Sequence, residues 1–150
     1  MKFSILNCFW LLIPIFVWNA IFMPKLTQEG FESDGNVPAW MLVSEHVLRA
    51  IVFILPLLLP LRLKDQWSKI RLFSYIAGTL VYFGSWLPLV YRPGAHWSTN
   101  AVGLLAPAFT PLIPLIGIGL IGHSWIYMSL SALFVLVHTL HNVCSFGYLP

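Results

Sequence analysis

Residues 38–61, PAWMLVSEHVLRAIVFILPLLLPL, form a long apolar run in which Glu45, His46 and Arg49 are the only ionisable side chains. A transmembrane helix needs about 20 predominantly apolar residues, because each residue adds about 1.5 Å along the axis and the hydrocarbon core is roughly 30 Å thick. The run therefore predicts a transmembrane helix that carries ionisable groups inside the bilayer.

Four further runs satisfy the same length criterion, at about residues 4–24, 72–91, 101–121 and 125–146. The first run carries no charge, is too long for a signal peptide and is followed by no A-x-A cleavage site. All five runs are continuously apolar, whereas barrel strands alternate over about 10 residues. We therefore predict an all-α, polytopic membrane protein. Its residues 1–150 form a single domain, a bundle of five transmembrane helices.

The composition supports a membrane protein. Of its residues, 59% are hydrophobic and 9% are charged, against about 25% charged in soluble domains, and the mean hydropathy is +0.83. These values exclude a disordered chain, a coiled coil and an ordinary soluble domain. Half of the eight basic residues lie in one loop, so the net charge of +3 indicates how the chain is oriented in a membrane and not a surface that binds nucleic acid. We therefore expect the lipid bilayer as a partner and no nucleic acid.

Charge distinguishes the two longest loops. The loop between the second and third runs has a net charge of 4 − 1 = +3, from Arg62, Lys64, Lys69, Arg71 and Asp65. The first loop has a net charge of 1 − 3 = −2, from Lys25, Glu29, Glu32 and Asp34. Cytoplasmic loops are enriched in Lys and Arg. The second loop and the N-terminus with Lys2 are therefore predicted to be cytoplasmic, and the C-terminus to lie outside.

With this topology, polar side chains from four of the five runs fall at one depth, roughly 8–15 Å below the outer surface. Ionisable groups within spans usually face the interior of the bundle. The predicted ligand-binding residues are Asn19, Glu45, His46, Arg49, Tyr82, Trp86, His138, His141 and Asn142.

The fourth run contains Pro107, Pro111 and Pro114. Each proline within a helix removes an N–H and displaces the carbonyl four residues earlier. The run is therefore predicted to bend, either for packing alone or to help form a cavity beside the polar residues. Gly117 in the same run favours close approach of a neighbouring helix.

The ionisable residues allow several interpretations. Glu45 and Arg49 have the spacing of an intrahelical ion pair, which is either structural or leaves Arg49 to hold an anionic or carbonyl group. His138 is suited to acid–base chemistry or to interhelical hydrogen bonds with Tyr82 or Ser85. A metal site is not favoured, because the spacing H-x-x-H alone is a weak signal; its candidates are Glu45, His138 and His141. Glu45 and His138 are also the candidate catalytic residues.

The leading functional hypothesis is a small integral membrane protein with an outward-opening polar pocket within the membrane. The pocket would bind, transport or sense a small amphipathic or anionic ligand. One alternative is a membrane-embedded enzyme that acts on a lipid or isoprenoid by Glu/His acid–base or metal chemistry. A second is a structural or assembly subunit of a membrane complex. The sequence specifies no cofactor, and five short helices enclose little volume, so each hypothesis is compatible with a homo-oligomer.

Overall fold

The computed structural model describes residues 6–28, 37–64 and 66–146. Lys2, Glu29, Glu32, Asp34 and Asp65, which enter the charge argument for topology, lie outside this part of the chain. The α-helices within it are α1 (Ile13–Gln28), α2 (Ala39–Ile54), α3 (Ser68–Tyr91), α4 (His96–Thr99), α5 (Ala101–Phe109), α6 (Leu112–Gly122) and α7 (Trp125–Ser145). Short 3₁₀ helices precede α1 at Cys8–Leu12 and follow α2 at Leu55–Leu58.

Within the described residues, five helical segments are long and apolar enough to cross a membrane, which confirms the all-helical prediction with five candidate spans. They are Cys8–Leu26, Ala39–Leu58, Ser68–Tyr91, Ala101–Gly122 and Trp125–Ser145. The first three spans differ from the sequence prediction. The first begins at Cys8 and not at residue 4, since Leu6 and Asn7 are not helical, and it continues past Pro24 to Leu26. The second span ends at Leu58, because Leu59 precedes Pro60 and is extended (φ −92°, ψ 122°). The third begins at Ser68, within the basic loop, because polar residues can form the exposed first turn of a helix.

The fourth span is interrupted at Thr110 and Pro111, between α5 and α6. Pro111 has no N–H to donate to the carbonyl of Pro107, so the regular helical pattern cannot continue there. The Thr110 hydroxyl donates to the Ala106 carbonyl at 2.7 Å and lies 3.1 Å from the Ser85 hydroxyl of α3. The regular helix is therefore interrupted in the proline-containing part of the run, where the Thr110 hydroxyl lies beside α3.

The spans pack as a ring. Helix α3 packs on α1, α5 and α6; α7 packs on α5, α6 and α2; and the Cys8–Leu12 turn contacts α2. The order around the ring is thus first, third, fourth, fifth and second span. We call the end where α1 ends and α2 begins the first-loop end, and the opposite end, near residues 60–67, the basic-loop end. This order places α2, which carries Glu45 and Arg49, beside α7, which carries His138 and His141.

The closest helix approach is between α3 and α6. A Cβ atom added to Gly117 would lie 2.8 Å from Cα of Tyr75, and one added to Gly78 would lie 2.9 Å from the backbone nitrogen of Pro114. Real Cβ atoms do not come this close to backbone atoms. The absence of a side chain at both positions therefore allows the two backbones to meet, as the sequence indicated for Gly117.

Substitution of Gly78 by alanine tests this contact. We expect Gly78→Ala to lower the free energy of unfolding by about 1–3 kcal/mol, because the added methyl group requires the α3 and α6 backbones to separate. Gly84→Ala, on the same helix, is the matched control, since its Cβ would meet nothing within 4 Å. Unfolding in detergent, followed by tryptophan fluorescence, measures both. Equal stability of the two variants would contradict the close packing.

Candidate functional site

A cavity of about 350 Å³ extends from the middle of the bundle toward its first-loop end, and residues of all five spans line it. Its volume falls within the roughly 300–1,000 Å³ range of small-molecule pockets. Apolar side chains such as Phe53, Leu89 and Phe134 form much of the wall. The polar side chains that line it are Asn19, Arg49, Tyr82, Trp86, His138 and Asn142.

Glu45 lies behind one wall of this cavity and is 1% exposed. Its Oε1 atom accepts hydrogen bonds from Nη2 of Arg49, one helical turn away on α2, and from Nδ1 of His138 on α7 at 3.0 Å. Its Oε2 atom accepts a hydrogen bond from Nδ1 of His141. One carboxylate therefore joins α2 to α7 through three donors. The histidines use Glu45 as their partner, and not Tyr82 or Ser85.

These contacts determine where the histidine protons lie. An ionised carboxylate only accepts hydrogen bonds, so Nδ1 of both His138 and His141 must carry a hydrogen. Within the described residues, no hydrogen-bond partner lies on Nε2 of either ring. The His138 ring also stacks on Phe134, with centroids 5.6 Å apart and planes 13° apart. Glu45 and Phe134 thus orient the His138 ring, and its Nε2 atom makes no hydrogen bond within the described residues.

The opposite wall of the cavity is also polar. The Tyr82 hydroxyl donates to Oδ1 of Asn19, which joins α3 to α1. Trp86 is 7% exposed, and its ring packs edge-on against that of Tyr82, with centroids 6.1 Å apart.

The structure separates the nine predicted ligand-binding residues into three groups. Six of them line the cavity: Asn19, Arg49, Tyr82, Trp86, His138 and Asn142. Glu45 lies behind them and holds Arg49 and His138, and His141 bonds Glu45 without lining the cavity. His46 is placed elsewhere: it is exposed, and its Nδ1 bonds the Leu42 carbonyl at 2.7 Å. Consecutive helical residues differ by about 100° in direction, so His46 cannot share the face of Glu45.

The metal candidates form an ion-pair cluster in which the carboxylate is already occupied by N–H donors. Among residues 6–28, 37–64 and 66–146, no three His, Cys, Asp or Glu side chains are arranged to hold a metal ion.

Some cavity residues were not predicted from the sequence, notably Phe53 and Phe134. Each lies four residues from a predicted site residue, Arg49 or His138, and this helical spacing is the signal that could have identified them.

Comparison of the chain with protein-family models, with curated proteins and with solved structures finds no match.

The Glu45 contacts predict a large effect on stability. In Glu45→Gln the charge is lost, and an amide NH₂ replaces one of the two accepting oxygens. We expect a loss of about 3 kcal/mol in the free energy of unfolding, as for other broken buried ion pairs.

His46→Gln is the matched control, on the adjacent residue of the same helix, and we expect a change within about 0.5 kcal/mol. Denaturation of both variants in mixed detergent micelles measures the difference. If Glu45→Gln is as stable as His46→Gln, the carboxylate does not hold α2 to α7.

Proposed function

We propose that this protein is a multi-pass membrane protein whose cavity binds a small amphipathic ligand with an anionic or carbonyl end. The observation that carries the proposal is the form of the cavity: apolar walls contributed by five spans, with the cation Arg49 and the polar groups of His138 and Asn142 on one side. A cavity of this kind is suited to a molecule with an apolar body and one polar end.

Insertion in a membrane is supported by the outward faces of the spans, which expose large apolar side chains such as Val43, Phe73 and Leu136. Arg62, Lys64 and Lys69 are exposed at the basic-loop end. By the tendency of Lys and Arg to remain cytoplasmic, this end faces the cytoplasm, with the N-terminus inside and the C-terminus outside. The cavity then lies in the outer half of the membrane.

Arg49 is suited to hold the polar end of a ligand. Its guanidinium has five N–H donors, and the contact to Glu45 is made through Nη2. The side chain is 39% exposed although Glu45 beside it is 1% exposed. Arginine binds carboxylates in bidentate geometry. The remaining donors of Arg49 are therefore available to a carboxylate or carbonyl in the cavity, while Glu45 keeps the side chain in place.

A purely structural role for the cluster of Glu45, Arg49 and the two histidines explains fewer features of the site than ligand binding does. It explains why Glu45, Arg49 and the two histidines are joined, since paired charges cost less in an apolar medium than isolated ones. It does not explain why a cavity of about 350 Å³ lies beside them. Ligand binding accounts for both features.

A second candidate function is acid–base catalysis on a lipid or isoprenoid. The Glu45–His138 contact favours it, because a carboxylate on Nδ1 fixes the imidazole so that Nε2 can accept or donate a proton. Binding must precede such a reaction, so the same cavity serves both functions. The two are distinguished by whether the bound molecule is recovered unchanged.

Decanoate, with decanol as its uncharged counterpart, tests the proposed function. For the purified protein in lipid nanodiscs, we expect decanoate to raise the thermal unfolding temperature, because a ligand that binds only the folded state stabilises it. We expect decanol to have a smaller effect, and Arg49→Gln to weaken decanoate binding at least about tenfold, as expected for loss of a charge-assisted hydrogen bond.

His46→Gln is again the control, since that residue lies on α2 but outside the cavity. Equal stabilisation of wild type and Arg49→Gln by decanoate would contradict the proposal. Recovery of the ligand by extraction and mass spectrometry completes the experiment. An unchanged mass supports a binding protein, and conversion that is lost in a His138 variant supports the catalytic alternative.

A further inference from the structure

In the ligand-free protein the charges of Arg49 (+1) and Glu45 (−1) cancel. The contacts of His138 and His141 to Glu45 need one ring hydrogen each, on Nδ1, so both rings make them in the neutral form, in which the cavity carries no net charge. A monoanionic ligand at Arg49 would change the sum to −1. An uncompensated charge within the bilayer is strongly unfavourable. The site therefore needs one more positive charge when an anion is bound.

Few groups on the helices packed around His138 can supply the positive charge that a bound anion requires. Helices α5 and α6, which pack on α7, contain no titratable residue. Helix α2 presents Glu45 and Arg49, while His46 is turned outward. On α7 itself, the neighbours of His138 that can titrate are His141 and Cys144.

The remaining groups lie farther from the polar end of the cavity. Across it, the Tyr82 hydroxyl donates to Asn19. Lys25 is exposed at the first-loop end, where its ammonium lies over the rings of Phe22 and Tyr91 at 5.0 and 5.9 Å. Its charge is screened by solvent. His138 is thus the titratable cavity residue that can gain a positive charge next to Arg49.

Protonation of His138 also improves its contact with an anion. Glu45 holds Nδ1–H, so a second proton must go to Nε2. A neutral Nε2 offers a lone pair, which repels a carboxylate oxygen, whereas a protonated Nε2 offers an N–H donor. The anion therefore binds more tightly to the protonated form, and by linkage its binding promotes proton uptake.

We infer that the cavity takes a carboxylate amphiphile together with one proton, which resides on Nε2 of His138, so that the bound complex adds no net charge to the membrane interior. This inference rests on the proposed function and defines its ligand class as weak-acid anions bound electroneutrally. His141, which shares Glu45 but does not line the cavity, acts through the carboxylate and not on the ligand.

Isothermal titration calorimetry of the protein in nanodiscs measures the proton directly. Decanoate and decanesulfonate are titrated in phosphate and in Tris, buffers with different ionisation enthalpies, with empty nanodiscs as the background. At a pH where the ligand-free site holds no extra proton, we expect uptake of about one proton per ligand for both probes, and about a tenfold rise in Kd per unit of pH. The sulfonate excludes protonation of the ligand itself, because it stays ionised.

His138→Asn is the informative variant, because the asparagine amide can occupy the place of Nδ1 and still donate to Glu45 but cannot take up a proton. We expect it to bind either probe more weakly than the protonated wild type does, without proton uptake and without dependence on pH. His46→Asn removes a histidine from the outer face of α2 and should behave as wild type. The sulfonate measurement on the wild type decides the question even if His138→Asn does not fold.

The outcomes separate this inference from the proposed function. Absence of binding by both probes at every pH contradicts the proposed function. Binding that depends on Arg49 but takes up no proton contradicts only the inference. Uptake with decanoate but not with decanesulfonate would place the proton on the ligand, and uptake that persists in His138→Asn would place it on another group. Either result overturns the assignment to His138.

Discussion

The arrangement of this molecule depends on one carboxylate. Glu45 is buried, yet it accepts hydrogen bonds from Arg49 on its own helix and from His138 and His141 on α7. Removing a carboxylate from water is costly, and three N–H donors offset that cost. The contact fixes α2 beside α7, orients the two residues that line the cavity and leaves Glu45 itself out of reach of a ligand. The same interaction therefore serves packing and site geometry.

The cavity exists because the fourth span packs unevenly along its length. Toward the basic-loop end, Gly78 and Gly117 let the backbones of α3 and α6 meet closely. Beyond the interruption at Thr110 and Pro111, the span continues as α5, and Pro107 and Pro111 form part of the cavity wall. Close packing at one end thus stabilises the bundle, while the proline-interrupted half leaves a space that side chains do not fill.

Much of this could be predicted from sequence, because hydropathy and helical spacing are local properties. They predicted five apolar spans, and six of the residues named on that basis line the cavity, Arg49 and His138 among them. His46 lies on a different face of α2 from Glu45, because a shared depth does not imply a shared face. The sequence grouped Glu45 with His138 and His141 but did not predict that both histidines bond the carboxylate directly, since this depends on α2 lying beside α7, and the order of spans around a ring is not encoded in hydropathy. The spacing of Glu45 and Arg49 also does not indicate which of the two lines the cavity. In the structure Arg49 lines it, and Glu45 lies behind the cavity wall.

The most direct test of the central claim is the ¹⁵N NMR spectrum of the histidine rings in protein labelled at histidine and reconstituted in lipid bilayers. Spectra of single-histidine variants assign the signals. We expect Nδ1 of both His138 and His141 to be protonated and hydrogen-bonded in the wild type, and both signals to shift in Glu45→Gln while those of His46 do not. Rings protonated at Nε2 alone, with spectra unchanged by Glu45→Gln, would show that the carboxylate does not organise this site.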